Sequence, residues 1–181
     1  MSEIETKTGL ATEKIATRQR MIAVVGPVAL ALVTFGFDQL TKEWALRVLS
    51  EGDITLIPNV LFFDLAYNPG AAFSMFSGYP GALSALATIL SLVIIVWIWK
   101  VALECRITAF ALGAVLGGAV GNLVDRIRFQ QVTDFIRVHF AVIDWSWPTF
   151  NVADSSICIG MAVLLYITFF PRKIGNEKSS S

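Results

Sequence analysis

The chain has 181 residues, 55% of them hydrophobic, and its 14 basic residues balance its 14 acidic ones. That apolar content belongs to a membrane protein, and the zero net charge excludes the electrostatic footprint of a nucleic-acid binder. Its two cysteines, Cys105 and Cys158, fall near opposite ends of hydrophobic stretches, too far apart for a disulfide, and Cys158 reads as a small packing residue.

Residues 1–20 are polar, of mixed charge and without an apolar period, so they read as a flexible tail. Four uncharged stretches then meet the roughly 17–25 residues needed to cross a bilayer. They are Met21–Phe37, a window over Gly81–Trp99, Ile107–Val124 and Ser155–Pro171. Ala29-Leu30-Ala31 resembles a signal-peptidase cleavage triplet, but it lies mid-run, so the first stretch is expected to remain as a span. Between spans one and two, Ile54–Tyr67 is rich in β-branched and aromatic residues around Pro58-Asn59, which predicts one or two short strands. Between spans three and four, alternation of Val138, Phe140 and Val142 suggests a weak strand or interfacial segment, and Trp145 and Trp147 suit an aromatic belt. Residues 172–181 read as a second tail. The expected fold is an all-α membrane protein: one four-helix domain over residues 21–171, with a small β-containing region outside the cytoplasm.

Four spans put both termini on one side. Nine basic residues fall on that side and five on the other, so the positive-inside rule places the termini in the cytoplasm.

The polar residues near the outer ends of the spans carry the chemistry. Asp38 and Lys42 are spaced for a helical ion pair. Asn68-Pro69-Gly70 reads as a turn, or as an amide that holds a substrate backbone. Gly113, Gly117 and Gly121 form a small-residue stripe whose usual meaning is close helix packing. Because the stripe leads toward Asn122, Asp125 and Arg126, a groove that admits a substrate helix is the alternative. Asp125 beside Arg126 is expected to be held charged by its neighbour, which suits positioning rather than proton transfer. Asp134 lies among Val132, Phe135 and Ile136, where desolvation favours the protonated form. Asp154 falls at the third position of a helix capped by Asn151. Ionisable residues at membrane depth are functional by default. A carboxylate kept charged opposite one kept protonated is the division of labour of an acid/base pair. The only histidine, His139, has no zinc-peptidase context and lies in a loop. A solvated loop acid at Asp134 and simple capping by Asp154 are the bland alternatives, and spacing alone leaves the choice among the three acids open.

Five segments, taken in order, resemble the bacterial lipoprotein signal peptidases, the signal peptidase II family. They are Asp38-Gln39-Leu40-Thr41-Lys42, Asn68-Pro69-Gly70-Ala71-Ala72-Phe73-Ser74, the run from Gly117 to Arg126, Val132-Thr133-Asp134-Phe135-Ile136, and Phe150-Asn151-Val152-Ala153-Asp154. The likeness covers about Phe35 to Phe170. It implies an aspartyl endopeptidase of the bacterial inner membrane that needs no metal or cofactor. Its substrates would be prolipoproteins, cut just before the cysteine that carries a diacylglyceryl group, with membrane lipid as the surrounding partner. The resemblance assigns catalysis to Asp134 and Asp154. It assigns supporting roles to Asp38, Lys42, Asn68, Gly70, Asn122, Asp125, Arg126, Asn151 and Ala153. The rival class is a four-span transporter or assembly factor that uses the acids as an ion site.

Overall fold

A computed structural model describes residues 3–70 and 80–170, the side chains of residues 3–13 and of Pro80 excepted. Ala71–Ser74 of the second motif, Gly78-Tyr79, Pro171 and the C-terminal tail lie outside the described residues.

Eight elements follow in the order α1 (Glu3–Val48), β1 (Ile54–Ile57), β2 (Leu61–Asn68), α2 (Pro80–Val101), α3 (Arg106–Phe129), β3 (Val132–Phe140), β4 (Trp145–Ser146) and α4 (Val152–Phe169). All four helices are long and apolar enough to cross a membrane. The four-span, all-α expectation with a small β region therefore holds. Two boundaries differ from the sequence reading. Helix α1 starts at Glu3 rather than after a tail of 20 residues, because Glu, Lys, Ala, Arg and Gln there are good helix formers even without an apolar stripe. It also continues past Phe37 to Val48, since the charges that seemed to end the span are neutralised inside the bundle.

Helix α3 is the central element. More than half of its apolar window is buried, whereas α1, α2 and α4 expose most of theirs, as helices facing lipid do. Its glycines explain the close approach. A β-carbon on Gly117 would come within 2.5 Å of the Ala31 carbonyl oxygen, and one on Gly121 would strike the Asp38 carboxylate. On the other side, Gly118 packs against Ala153 and Gly160 of α4 packs against Val115. The stripe is thus a packing surface filled by α1, and the alternative of an open groove for a substrate helix along it is set aside.

The four strands form one antiparallel sheet in the order β1-β2-β3-β4. An aromatic cluster seats the sheet on α1: Trp44, Phe63 and Phe135 meet edge to face with centroids 5.4–6.2 Å apart. Ala45 and Leu49 complete this core. Because side chains alternate along a strand, Asp134 and Phe135 point to opposite faces, one to the helices' polar ends and one to this core.

Candidate active site

Strand β3 and the start of α4 are tied together next to the two acids. Phe135 and Ile136 N–H donate to the Phe150 carbonyl at 3.0 and 2.8 Å, and Phe150 N–H returns to Ile136 at 3.0 Å. The next residue, Asn151, caps α4. Its side-chain oxygen accepts from Asp154 N–H at 2.8 Å, and its own N–H donates to Asp154 Oδ2 at 3.3 Å. With the backbone fixing that oxygen, the Asn151 amide nitrogen must face the other way, where it donates to Asp134 Oδ1 at 2.7 Å. Asn151 therefore touches both acids and is fully buried. Asn68 reaches Asp134 from the neighbouring strand: Ala66 pairs with Asp134, and Asn68 is two residues on, a diagonal neighbour on the same face.

Beneath this pair lies a buried ion cluster. Lys42 Nζ stands 3.0 Å from Asp38 Oδ2, 3.1 Å from Asp125 Oδ2 and 2.9 Å from Asn122 Oδ1. Those three acceptors use all three ammonium protons. Asp38 Oδ1 accepts from Ala153 N–H at 2.9 Å, and Asp125 Oδ2 accepts from Thr133 N–H at 3.0 Å. One buried lysine thus links α1 to α3, and its acid partners reach α4 and β3. Asn122 carries the arrangement upward: its oxygen is held by Lys42, so its amide nitrogen faces Asp154 Oδ1 at 2.7 Å.

Several sequence readings need correction here. Asp125 makes its close ion pair with Lys42, and the Arg126 charge, directed more at Asp154 and Asp134, acts on it only weakly because adjacent residues on a helix diverge. Arg126 instead donates to the Gly70 carbonyl at 2.8 Å and holds the end of the Asn68-Pro69-Gly70 turn over the site. That turn closes through Gly70 N–H on Asn68 Oδ1 at 3.0 Å. The expected Asp38–Lys42 pair is present, and both side chains are buried. Cys158 is exposed rather than packed. Gln39 was missed as a site residue: it donates to Asp38, Asp125 and the Gly121 carbonyl. Its place beside Asp38 in the first motif was the available signal.

Burial raises the pKa of Asp134 to about 7, and the neighbouring Asp154 charge adds to the effect. Bonds from Asn68 and Asn151 and the Lys42 charge hold it back from rising further. A groove of about 550 Å³ lies beside the pair, lined by Asp134 and Asp154 and by Trp147, Pro148, Ile157, Cys158 and Ile159 among its apolar walls. This arrangement places two carboxyl groups of unlike environment in the lining of one largely apolar groove.

The family model of signal peptidase II matches residues 30–170. The chain belongs to the signal peptidase II family. The lipoprotein signal peptidase of Cellvibrio japonicus (strain Ueda107) is 40% identical over 156 residues, spanning 83% of this chain and 91% of its own. That of Teredinibacter turnerae (strain ATCC 39867 / T7901) is 40% identical over 158 residues, spanning 85% and 93%. Two solved structures of bacterial membrane enzymes share the fold. One superposes with a TM-score of 0.69 at 24% identity, covering 86% of this chain and 94% of its own. The other gives 0.63 at 25% identity, covering 81% and 93%. Membership in a peptidase family leaves the transporter or assembly-factor reading without support.

Proposed function

We propose that the chain is an aspartyl endopeptidase that removes signal peptides from diacylglyceryl-modified prolipoproteins, with Asp134 and Asp154 as the catalytic pair. The observation that carries this is the unequal setting of the two acids that line one apolar groove. Asp154 accepts nitrogen donors on both oxygens at the start of α4, a setting for a carboxylate. Asp134, desolvated and facing that charge, is the member that holds the shared proton. Asp154 takes a proton from water as its oxygen attacks the scissile carbonyl carbon, while Asp134 gives its proton to the carbonyl oxygen. The neutral tetrahedral intermediate collapses as the C–N bond breaks. The leaving nitrogen takes the proton from Asp154, and one hydroxyl returns its proton to Asp134. Lys42, Asp38, Asp125, Asn122, Arg126 and Ala153 position the pair, and Asn68, Gly70 and Asn151 shape its upper side. The signal helix would lie along the groove and the acyl chains against lipid. Cleavage just before the lipidated cysteine is read as a mobility shift of a diacylglyceryl-modified prolipoprotein incubated with the purified protein. An unprocessed substrate would overturn the assignment.

The role of Asp134 sets a pH dependence. Its proton is present below about pH 7 and is lost above it, so kcat/KM is expected to fall as pH rises through that region. Activity that stays level to pH 9 would mean that Asp134 is not the proton donor.

We place the protein in the bacterial inner membrane with both termini cytoplasmic and the aspartate pair near the outer leaflet. Basic residues are more numerous on the terminal side. In a background lacking Cys105 and Cys158, a cysteine replacing exposed Asp53 is expected to react with an impermeant maleimide in intact spheroplasts. One replacing exposed Glu104 should react only after lysis. The opposite pattern inverts the topology.

A further inference from the structure

The β3–β4 hairpin has two unlike faces. Phe140 pairs with Trp145 across the ladder, and Trp147 follows two residues on, so the three rings share one side. Their successive centroids are 5.7 Å apart. The other side carries the His139–Ser146 pair, whose Nδ1 and Oγ lie 3.0 Å apart. At the turn, Val142 is 99% exposed and Ile143 67%. The aromatic rings themselves remain 44–47% exposed. A patch this apolar and this exposed at the end of a hairpin marks a contact surface.

Its continuation identifies the contact. Trp147 walls the groove together with Cys158 and Ile159 of α4. Ile159 lies in the second turn of that helix, about 10 Å from its start at 1.5 Å per residue. Beyond it α4 exposes Met161, Leu165, Tyr166 and Phe169, the side that a membrane-spanning helix turns to lipid. Trp147 thus stands beside a part of α4 that is already within the apolar span. The aromatic face of the hairpin stands across the groove from that lipid-facing surface.

We propose that the β3–β4 hairpin is seated in the bilayer interface, its aromatic face and its Val142–Ile143 tip against lipid, so that it forms the lipid-side wall of the groove. Tryptophan is suited to this depth because its ring is apolar and its N–H can meet headgroups. The neighbouring charges say which lipid is needed. Arg137 is engaged by Asp64 at 2.6 Å, and Asp144 at the turn is fully exposed. The hairpin offers no free Lys or Arg to anionic headgroups, so apolar burial drives the seating and phosphatidylcholine suffices. Asp144 keeps the insertion shallow, because a carboxylate deep in hydrocarbon is costly. The proposal needs α4 to cross the bilayer and is independent of which acids are catalytic.

The test uses the full chain with Cys105 and Cys158 replaced by alanine and a single cysteine at Val142, Ile143 or Asp53. Each is labelled with an environment-sensitive fluorophore and reconstituted in phosphatidylcholine vesicles. Probes at Val142 and Ile143 are expected to be quenched several-fold more by a lipid bearing a nitroxide near its headgroup than by aqueous iodide. The Asp53 probe should show the opposite preference. Added phosphatidylglycerol should leave the pattern unchanged. Iodide quenching at Val142 and Ile143 equal to that at Asp53 overturns the proposal, as does quenching that appears only with phosphatidylglycerol. Shielding from both quenchers, accompanied by cross-linking between copies through Val142→Cys, would assign the face to a second copy of the chain and overturn it equally.

Discussion

Asp134→Asn and Asp154→Asn are each expected to lower turnover by roughly 10²–10⁴-fold, the range for removing a positioned proton donor or acceptor. Asparagine keeps the size of the side chain and can still accept a bond at one atom, so the site's shape should survive. What it loses is the exchangeable proton. The stability of the two variants separates chemistry from folding. The raised pKa of Asp134 means that the folded state holds a proton which the unfolded chain, titrating near 3.8, gives up earlier. Wild-type stability therefore falls as pH rises from about 4 through 7. Asp134→Asn removes that penalty and is expected to raise Tm relative to wild type more at pH 8 than at pH 5. An inactive Asp134→Asn with this pH-dependent gain would be a folded protein that lacks its donor. Near-normal cleavage by either variant would remove the dyad from the mechanism.

The same residues show how far the sequence could be read. Four spans were legible because an uncharged run of bilayer length is seldom anything but a membrane helix. The extent of α1 was not. Asp38 and Lys42 look like the end of an apolar helix until their partners are known, and those partners lie 80 or more residues away, on α3 for Lys42 and at Ala153 of α4 for Asp38. Asp125 next to Arg126 showed only the weaker of its two cations for the same reason, since adjacency in sequence competes poorly with packing in space. The cap at Asn151 was readable, because a capping box is local; its contact with Asp134 was not, because it depends on the β3–Phe150 ladder. Cys158 escaped because a helix in lipid has no polar side to reveal which face meets a groove. Among the acids, the neighbouring Arg126 and then motif order set Asp125 apart from Asp134 and Asp154, and the geometry adds a further physical distinction. Asp125 is paired with Lys42, whereas Asp134 faces the Asp154 charge across the one asparagine that touches both, Asn151.

Lys42→Met is expected to cost about 3–5 kcal/mol of stability, the range for breaking a buried ion pair by removing one partner. Methionine fits the volume of the lysine stem but leaves Asp38 and Asp125 facing each other with no cation between them. Gln39, Ala153 N–H and Thr133 N–H still donate to these acids, yet none carries charge. The loss should show as a lowered Tm in detergent and a poor yield of folded protein. Asp38→Asn/Lys42→Met provides the control. It removes one acid along with the base and so restores the net charge of the cluster, and is expected to recover a large part of the lost Tm. Recovery of fold need not bring recovery of activity. Without the ammonium, the Asn122 oxygen keeps only the Asn151 amide at 3.1 Å, so its own amide holds Asp154 less firmly. The double variant should therefore be stable but slow, with kcat reduced more than KM is raised. If Lys42→Met is as stable as wild type, the buried charges are not coupled as the distances imply. If the double variant cleaves at the wild-type rate, Lys42 holds the bundle together without orienting its catalyst.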